Sequence, residues 1–107
     1  MLLTTKGRKT GRPRTTPVLY LEDTGGFVAV ASFGGNDAHP AWYLNLQRCP
    51  EAEVVVKGER RKVVARTLSR EEKAIVWPRV VKMYPNFNAY QQRTKREIPL
   101  VKLTTAA

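Results

Sequence analysis

The stretch "EAEVVVKGERRKVVARTL", residues 51–68, decides the fold class of this chain. Two Val-rich arms flank the dipeptide Lys57-Gly58. β-Branched residues favour strands, and glycine favours the tight turn that joins them, so the stretch predicts a β-hairpin. Because side chains alternate between the two faces of a strand, its basic residues are predicted to point to solvent. They are Lys57, Arg60, Arg61, Lys62 and Arg66.

Three more strands are predicted before this hairpin. Residues 1–5, "MLLTT", and residues 15–22, "TTPVLYLE", are rich in apolar, β-branched or aromatic residues. The turn signal "DTGG" separates the second of them from "FVAVASF" at residues 27–33. The first half of the chain is therefore predicted to be a β-meander.

A short helix between the meander and the hairpin is indicated by Trp42, Leu44 and Leu46, in a segment of about two helical turns that Pro50 closes. After the hairpin, Ser69 and Glu72 form an S-x-x-E capping box, which marks the start of a helix.

The sequence "EEKAIVWPRVVKMY" continues that helix, and Pro78 is expected to kink or restart it. Residues 86–94 predict another short helix, and residues 98–104 predict a closing strand. The order β-β-β-α-β-β-α-α-β predicts a single domain over residues 1–107. Its fold class would be α+β and mainly β: a small barrel of about six strands with helices in its crossovers.

Composition restricts the function. Nineteen Lys and Arg against nine Asp and Glu give a formal net charge of +10, and 42% of the residues are hydrophobic. We therefore expect a folded basic domain with an anionic partner. Cys49 is the only cysteine and His39 the only histidine, so we expect no metal site and a reducing, cytoplasmic location. No apolar run approaches the roughly 18 residues of a membrane span.

The basic charge is concentrated in "TTKGRKTGRPRTTP", residues 4–17. Glycine and proline interrupt its five cationic residues, which is typical of a loop whose backbone N–H groups and side chains converge on one anion. The spacing between its glycines does not fit a nucleotide-binding phosphate loop. A basic β-barrel that binds nucleic acid through aromatic residues on its strands is an alternative, although no RNA-binding signature is present.

Three stretches resemble the deazaflavin-dependent nitroreductase family: residues 2–21 with a G-R-K-[TS]-G loop, residues 41–58 with a P-x-W-Y-x-N-L segment that begins at Pro40, and residues 77–103 with a W-P-x-[LV]-V-x-M-Y-P helix end. The resemblance implies a split β-barrel of the FMN-binding type that binds coenzyme F-420, an 8-hydroxy-5-deazaflavin with a phosphodiester and an oligoglutamate tail. It implies hydride transfer from the reduced coenzyme to a flat, electron-poor acceptor, such as a quinone, nitroaromatic or activated alkene. FMN in the same barrel remains an alternative.

The resemblance also assigns site residues. The substrate pocket would contain Trp42, Phe87 and Tyr90, with Tyr84 and Tyr90 as candidate proton donors. Phe87 stands where some family members have a tyrosine, so we expect quinones to be preferred over nitro compounds. The coenzyme would be bound by Arg8, Lys9, Thr10, Arg14, Thr15, Thr16, Pro17, Val18, Leu19, Val30, Ala31, Ser32, Phe33, Ala41, Trp42, Tyr43, Leu44 and Asn45.

Family members often have an amino-terminal helix over the site, and this sequence does not contain it. The resemblance leaves open a peripheral membrane association through such a segment, and a monomeric or homodimeric state. No nucleic acid is expected as a partner under this interpretation.

Overall fold

The computed structural model of the chain describes residues 1–32, 35 and 37–105. Within them, seven strands form one antiparallel sheet in the order β2-β1-β5-β6-β7-β4-β3, and the sheet curls into a half-barrel. The strands are β1 (Leu2–Lys6), β2 (Pro13–Pro17), β3 (Tyr20–Asp23), β4 (Gly26–Val30), β5 (Glu51–Val56), β6 (Glu59–Thr67) and β7 (Leu100–Thr105). The helices are α1 (Ala41–Arg48), α2 (Arg70–Met83) and α3 (Asn86–Arg93). The mainly β, α+β class predicted from the sequence is confirmed.

The predicted hairpin is β5–β6, near the middle of the sheet. Its turn has positive φ at both central residues, 52° at Lys57 and 80° at Gly58, as in a two-residue turn that matches the twist of the strands. Val54 and Val63 are buried, whereas the basic residues of the hairpin are exposed, as predicted.

Residues 15–22, predicted to be one strand, form parts of two strands. The amide of Val18 still donates to the carbonyl of Met1 (2.9 Å), and the chain leaves that pairing at Leu19, which is 51% exposed. As a result β2 and β3, although consecutive in the sequence, lie at opposite edges of the sheet. The sheet is therefore open between β2 and β3. The division of one predicted strand into two explains why the sheet has seven strands and not about six.

Both faces of β4 are packed. Phe27 and Ala29 point into a cluster on the inner side of the curled sheet, together with Trp42 of α1. Val28 and Val30 point to the opposite side, into a second cluster that includes Phe87 of α3. This division follows the two-residue period of a strand and places α1 and α3 on different sides of β4.

The capping box at the start of α2 is present: Ser69 Oγ accepts from the amide of Glu72, whose carboxylate accepts from the amide of Ser69. The helix continues through Pro78 to Met83, so it does not restart there. Proline removes the hydrogen bond to the carbonyl of Ala74, and both residues are exposed, so water can reach that carbonyl. None of the helices in the described part of the chain combines the length and apolar character needed to cross a membrane.

Candidate functional site

A cleft of about 630 Å³ opens where the loop after β1, strand β2, the end of β4 and the start of α1 meet. This volume is within the usual range for a small-molecule or cofactor site. The cleft is lined by Thr5, Gly7, Arg8, Lys9, Thr10, Arg14, Thr16, Pro17, Val18, Leu19, Val30, Ser32, Pro40, Ala41, Trp42, Asn45 and Phe87.

The basic loop between β1 and β2 is closed by its own backbone. The amide of Gly7 donates to the carbonyl of Arg12 (2.8 Å), and the amide of Gly11 donates to the carbonyl of Gly7 (2.8 Å). Gly11 has φ +72°, a conformation that other residues rarely adopt, and a Cβ on Gly7 would lie 3.0 Å from the Arg12 carbonyl oxygen. The two glycines therefore hold Arg8, Lys9 and Thr10 in a tight turn at the edge of the cleft.

Asn45 connects this loop to α1 and β1. Its side chain is buried (3% exposed). Its Oδ1 accepts from the amide of Arg8 (3.1 Å) and from Arg8 Nη1 (3.0 Å), and its Nδ2 donates to Thr5 Oγ1 (3.0 Å). Buried polar groups are stable only with such partners. Asn45 therefore fixes the loop and part of the Arg8 guanidinium relative to the helix.

The start of α1 also faces the cleft. Pro40 caps the helix without a side-chain hydrogen bond, and its carbonyl accepts from the amides of Tyr43 and Leu44. The helix N-terminus carries a partial positive charge, which favours an anion in the cleft. With Arg8, Lys9 and Arg14 beside it, this end of the cleft is electropositive.

The other part of the lining is apolar. Pro17, Val18 and Leu19 come from the end of β2 and the chain that follows, and Val30 comes from the end of β4. Trp42 of α1 adds an aromatic wall. The cleft thus combines a cationic end with an apolar surface, which suits a flat ring system that carries an anionic group.

An aromatic cluster lies behind Phe87. The ring of Phe87 lies 5.0 Å from that of Tyr84 and 6.0 Å from that of Tyr90. Phe87 is 1% exposed to solvent and lines the cleft, whereas the two tyrosines do not line it. A hydrogen bond with Tyr90 lowers the pKa of the Tyr84 phenol, and the same bond raises the pKa of Tyr90. The two candidate proton donors are thus neighbours, with ring centroids 6.3 Å apart.

Four other residues assigned to the coenzyme do not line the cleft. Two of them lie on α1. Tyr43 is buried in the inner cluster, and its hydroxyl lies 3.1 Å from Thr67 Oγ1 and accepts from Gln47 Nε2. Leu44, the next residue, is half-buried outside the lining.

The other two are Thr15, on β2, and Ala31, directly after β4. The Oγ1 of Thr15 lies 2.7 Å from Thr4 Oγ1 on the neighbouring strand, away from the cleft. Ala31 is buried, its amide donates to Pro99, and its carbonyl accepts from Arg96. Phe33 lies outside the described residues.

Three lining residues escaped the sequence assignment: Thr5, Gly7 and Pro40. Gly7 belongs to the G-R-K-[TS]-G motif and Pro40 is the first residue of the P-x-W-Y-x-N-L motif, so the sequence carried a signal for both. Thr5 had none, because its role depends on Asn45, 40 positions away.

Comparisons with known proteins show the family of the chain. The family model described as F420H(2)-dependent quinone reductase matches residues 1–105. An F420H(2)-dependent quinone reductase of Mycobacterium tuberculosis (strain ATCC 25618 / H37Rv) is 39% identical over 107 residues, 97% of this chain and 72% of the relative.

Two solved structures resemble the fold. The "Structure of F420-H2 Dependent Reductase (FDR-A)" is 36% identical with a TM-score of 0.86, over 95% of this chain and 90% of that one. A structure described as a "domain-swapped dimer" has the same identity and TM-score and covers 95% of this chain and 77% of that one. The chain therefore belongs to the F420H(2)-dependent quinone reductase family, which makes it an oxidoreductase with coenzyme F-420 as its cofactor.

Proposed function

We propose that this chain reduces quinones with hydride from reduced coenzyme F-420 bound in the cleft of about 630 Å³. One observation carries the proposal: a single cleft combines a cationic end with an apolar surface, in a chain that belongs to a family of F420H(2)-dependent reductases.

The residues present fit the coenzyme. Its anionic part would be held by Lys9 and Arg14, beside the amides at the start of α1, where the partial positive charge of the helix adds to theirs. Its ring system would lie against Val18, Leu19 and Val30. When bound, the coenzyme supplies a hydride from C5 of the deazaflavin, and the protein supplies binding, orientation and a shielded face.

Trp42 and Phe87 are the aromatic residues of the described lining. We assign to them the contact with the acceptor, because aromatic rings prefer offset or edge-to-face packing and a quinone is flat. Their second role is to exclude water from one side of the acceptor.

The proton that accompanies the hydride would come from water. Among the described residues that line the cleft, none is Asp, Glu, His or Tyr. A quinone that accepts a hydride forms a hydroquinone anion, which solvent protonates without an oriented acid. The lining therefore favours a quinone over an acceptor that needs a positioned donor, such as a nitroaromatic.

The test has two steps. Purified protein is titrated with oxidised coenzyme F-420 and the fluorescence of the coenzyme is followed, with FMN as a competitor. Reduced coenzyme is then mixed with protein and a soluble quinone, and its oxidation is followed in a single turnover. We expect saturable coenzyme binding, little competition by FMN and quinone-dependent oxidation. Tighter binding of FMN than of coenzyme F-420, or no acceleration over the protein-free reaction, would contradict the proposal.

A further inference from the structure

Arg96 lies in the segment between α3 and β7, outside the lining of the cleft. Its guanidinium nevertheless reaches the connection between β4 and α1. Nη2 donates to the carbonyl of Ser32 (2.7 Å), and Nη1 donates to the carbonyl of Ala31 (3.2 Å) and lies 3.2 Å from Nδ1 of His39.

The segment that carries Arg96 is itself held in place. The carbonyl of Arg96 accepts from Gln91 Nε2 of α3 (2.9 Å), and its amide donates to Thr94 Oγ1 (3.3 Å). Thr94 is buried, and its hydroxyl donates to Asp37 Oδ1 (2.8 Å). Hydrogen bonds thus hold residues 94–96 both to α3 and to the connection between β4 and α1.

Two of the residues that Arg96 contacts, Ser32 and His39, lead directly to the cleft. Ser32 lines it two residues beyond the end of β4. His39 precedes Pro40, which lines the cleft and caps α1. One guanidinium therefore sets the distance between two walls of the cleft: the end of β4 and the start of α1.

The contact with His39 fixes the state of the imidazole. A guanidinium donates hydrogen bonds and accepts none, so Nδ1 of His39 must be unprotonated to accept one from Arg96. A proton on Nδ1 would place its N–H against the N–H of the Arg96 guanidinium, and a positively charged imidazolium against the positively charged guanidinium. Burial, and then the charge of Arg96, lower the pKa of His39 from its usual 6.5.

Other groups around the imidazole are occupied. The ring of Tyr43 of α1 lies 4.9 Å away, and its hydroxyl is paired with Thr67 and Gln47. Asp37, on the same connection as His39, accepts from Thr94. Among the described residues, Arg96 is thus the charged side chain that contacts the imidazole of His39.

We propose that Arg96 is a positioning residue for coenzyme binding, which joins Ser32 to His39 and so fixes the end of β4 relative to the start of α1. Protonation of His39 opens this junction and weakens coenzyme binding. The proposal rests on the proposed function, because it takes the cleft as the coenzyme site.

The test begins without coenzyme. His39 is the only histidine, so a histidine-selective NMR titration shows a single set of imidazole resonances. We expect the His39 pKa to rise in Arg96→Gln and to stay unchanged in Lys95→Gln, a matched control that removes a charge from the neighbouring exposed residue. An unchanged His39 pKa in Arg96→Gln would overturn the contact between the two side chains.

Coenzyme F-420 affinity is then measured by fluorescence from about pH 8 to about pH 5. The parent is expected to bind more weakly as the pH falls below 6.5, the usual pKa that the burial of His39 lowers further. In His39→Asn, whose amide oxygen replaces Nδ1 and does not titrate, this decline should disappear. Titration of the coenzyme itself is common to all variants and cancels in their ratio.

At about pH 8, Arg96→Gln should bind the coenzyme about tenfold more weakly, because charge-assisted hydrogen bonds are lost. Arg96→Lys should recover part of that loss. Thermal unfolding of each variant shows whether it is folded. Parent-like affinity in folded Arg96→Gln, or the same pH dependence in His39→Asn as in the parent, would overturn the inference. Failure of the parent itself to bind the coenzyme would instead contradict the proposed function.

Discussion

Of the three cationic side chains that line the cleft, Lys9 and Arg14 are the two best placed to bind an anionic ligand. The guanidinium of Arg8 is partly engaged by Asn45. Lys9 and Arg14 are exposed, and in the described part of the chain neither forms an ion pair with a carboxylate. An anion in the cleft would therefore meet these two side chains without first displacing an internal partner.

Replacing Lys9 or Arg14 with Ala should weaken coenzyme binding by about 1.5 to 3 kcal/mol, roughly ten- to a hundredfold, because a charge-assisted hydrogen bond is lost. Fluorescence titration of each variant measures the change. The control is the double replacement of Arg61 and Lys62 with Ala, which removes charge from the β5–β6 hairpin and should matter much less. An equal loss in the control would mean that overall charge, and not this loop, attracts the coenzyme.

Phe87 is the residue expected to set acceptor choice. Phe87→Tyr adds a hydroxyl that can donate a hydrogen bond at the cleft, so nitro reduction should rise relative to quinone reduction while coenzyme affinity changes little. Single-turnover oxidation of reduced coenzyme by both acceptors, in parent and variant, measures the ratio. Because Phe87 is 1% exposed, thermal unfolding should accompany the kinetics. A folded variant with an unchanged ratio would remove Phe87 from the acceptor pocket.

Neighbouring residues show how far the sequence could predict the site. Trp42 and Tyr43 are both buried in the inner cluster, and of the two Trp42 alone lines the cleft. Successive residues of a helix point about 100° apart, so a tryptophan-tyrosine pair does not reveal which ring faces outward. The basic loop was accessible to prediction because its glycines and charges are adjacent in sequence. Arg96 was not, because its role arises from contacts more than 50 positions away.

At the scale of elements, the start of α2 should respond to acid. The hydrogen bond from Arg66, and then the amide of Ser69, hold the pKa of Glu72 at about 2 instead of 4.5. A carboxyl whose pKa is lower in the folded state stabilises the fold above its unfolded pKa, so this contribution is lost as pH falls from 4.5 towards 2. Both side chains are largely exposed, so the effect is small.

Glu72→Gln should therefore flatten the dependence of the unfolding midpoint on pH in that window, while Gln retains the capping box. Thermal unfolding of parent and variant at several pH values measures the difference. Glu71→Gln is the matched control, since Glu71 forms no ion pair with any described residue. If the midpoints of the parent and Glu72→Gln move in parallel with pH, the pair with Arg66 does not contribute.

At Gly26 the backbone of β7 leaves no room for a side chain. A Cβ at this position would lie 2.0 Å from the carbonyl oxygen of Leu103, a backbone atom that cannot move aside without disturbing the sheet. Gly26→Ala should destabilise the protein by at least about 2 kcal/mol, as forced overpacking does.

The neighbouring Gly25 provides the comparison. It has φ +77° and open space around its Cβ position, so Gly25→Ala carries only backbone strain of about 1 to 2 kcal/mol. Denaturant unfolding of both variants separates the two effects. A smaller loss in Gly26→Ala than in Gly25→Ala would show that the β4–β7 pairing yields more easily than its geometry indicates.

The order of elements was predictable, and the break at Leu19 was not. Propensity identified residues 15–22 as extended, and residues 15–17 and 20–22 lie in strands. Whether an extended stretch stays on one edge of the sheet depends on which strands pair with it, and β3 pairs with β4 while β2 pairs with β1. Long-range pairing of this kind is absent from local sequence patterns.

At the scale of the whole molecule, the cleft is assembled from separate parts of the chain: sixteen of its seventeen lining residues lie within residues 5–45, and the seventeenth is Phe87. Its lining runs from Thr5 on β1 to Phe87 on α3, and it includes residues from both hydrophobic clusters. The loop, β2, the end of β4 and α1 are separate in the sequence, and only the curled sheet brings them together. No contiguous segment of the chain contains the site.

Because the site exists only in the folded chain, coenzyme binding should stabilise the folded state. An unfolded chain offers the coenzyme scattered cations with no shared cavity, so by mass action a ligand at a hundred times its dissociation constant adds about 2.7 kcal/mol to the free energy of unfolding. For a domain of this size, the unfolding temperature should rise on the order of 10 °C. Calorimetry at increasing coenzyme concentration measures the rise. An unfolding temperature that does not change at saturating coenzyme would mean that the coenzyme binds the unfolded chain equally well. The supply of coenzyme would then not change the fraction of folded protein.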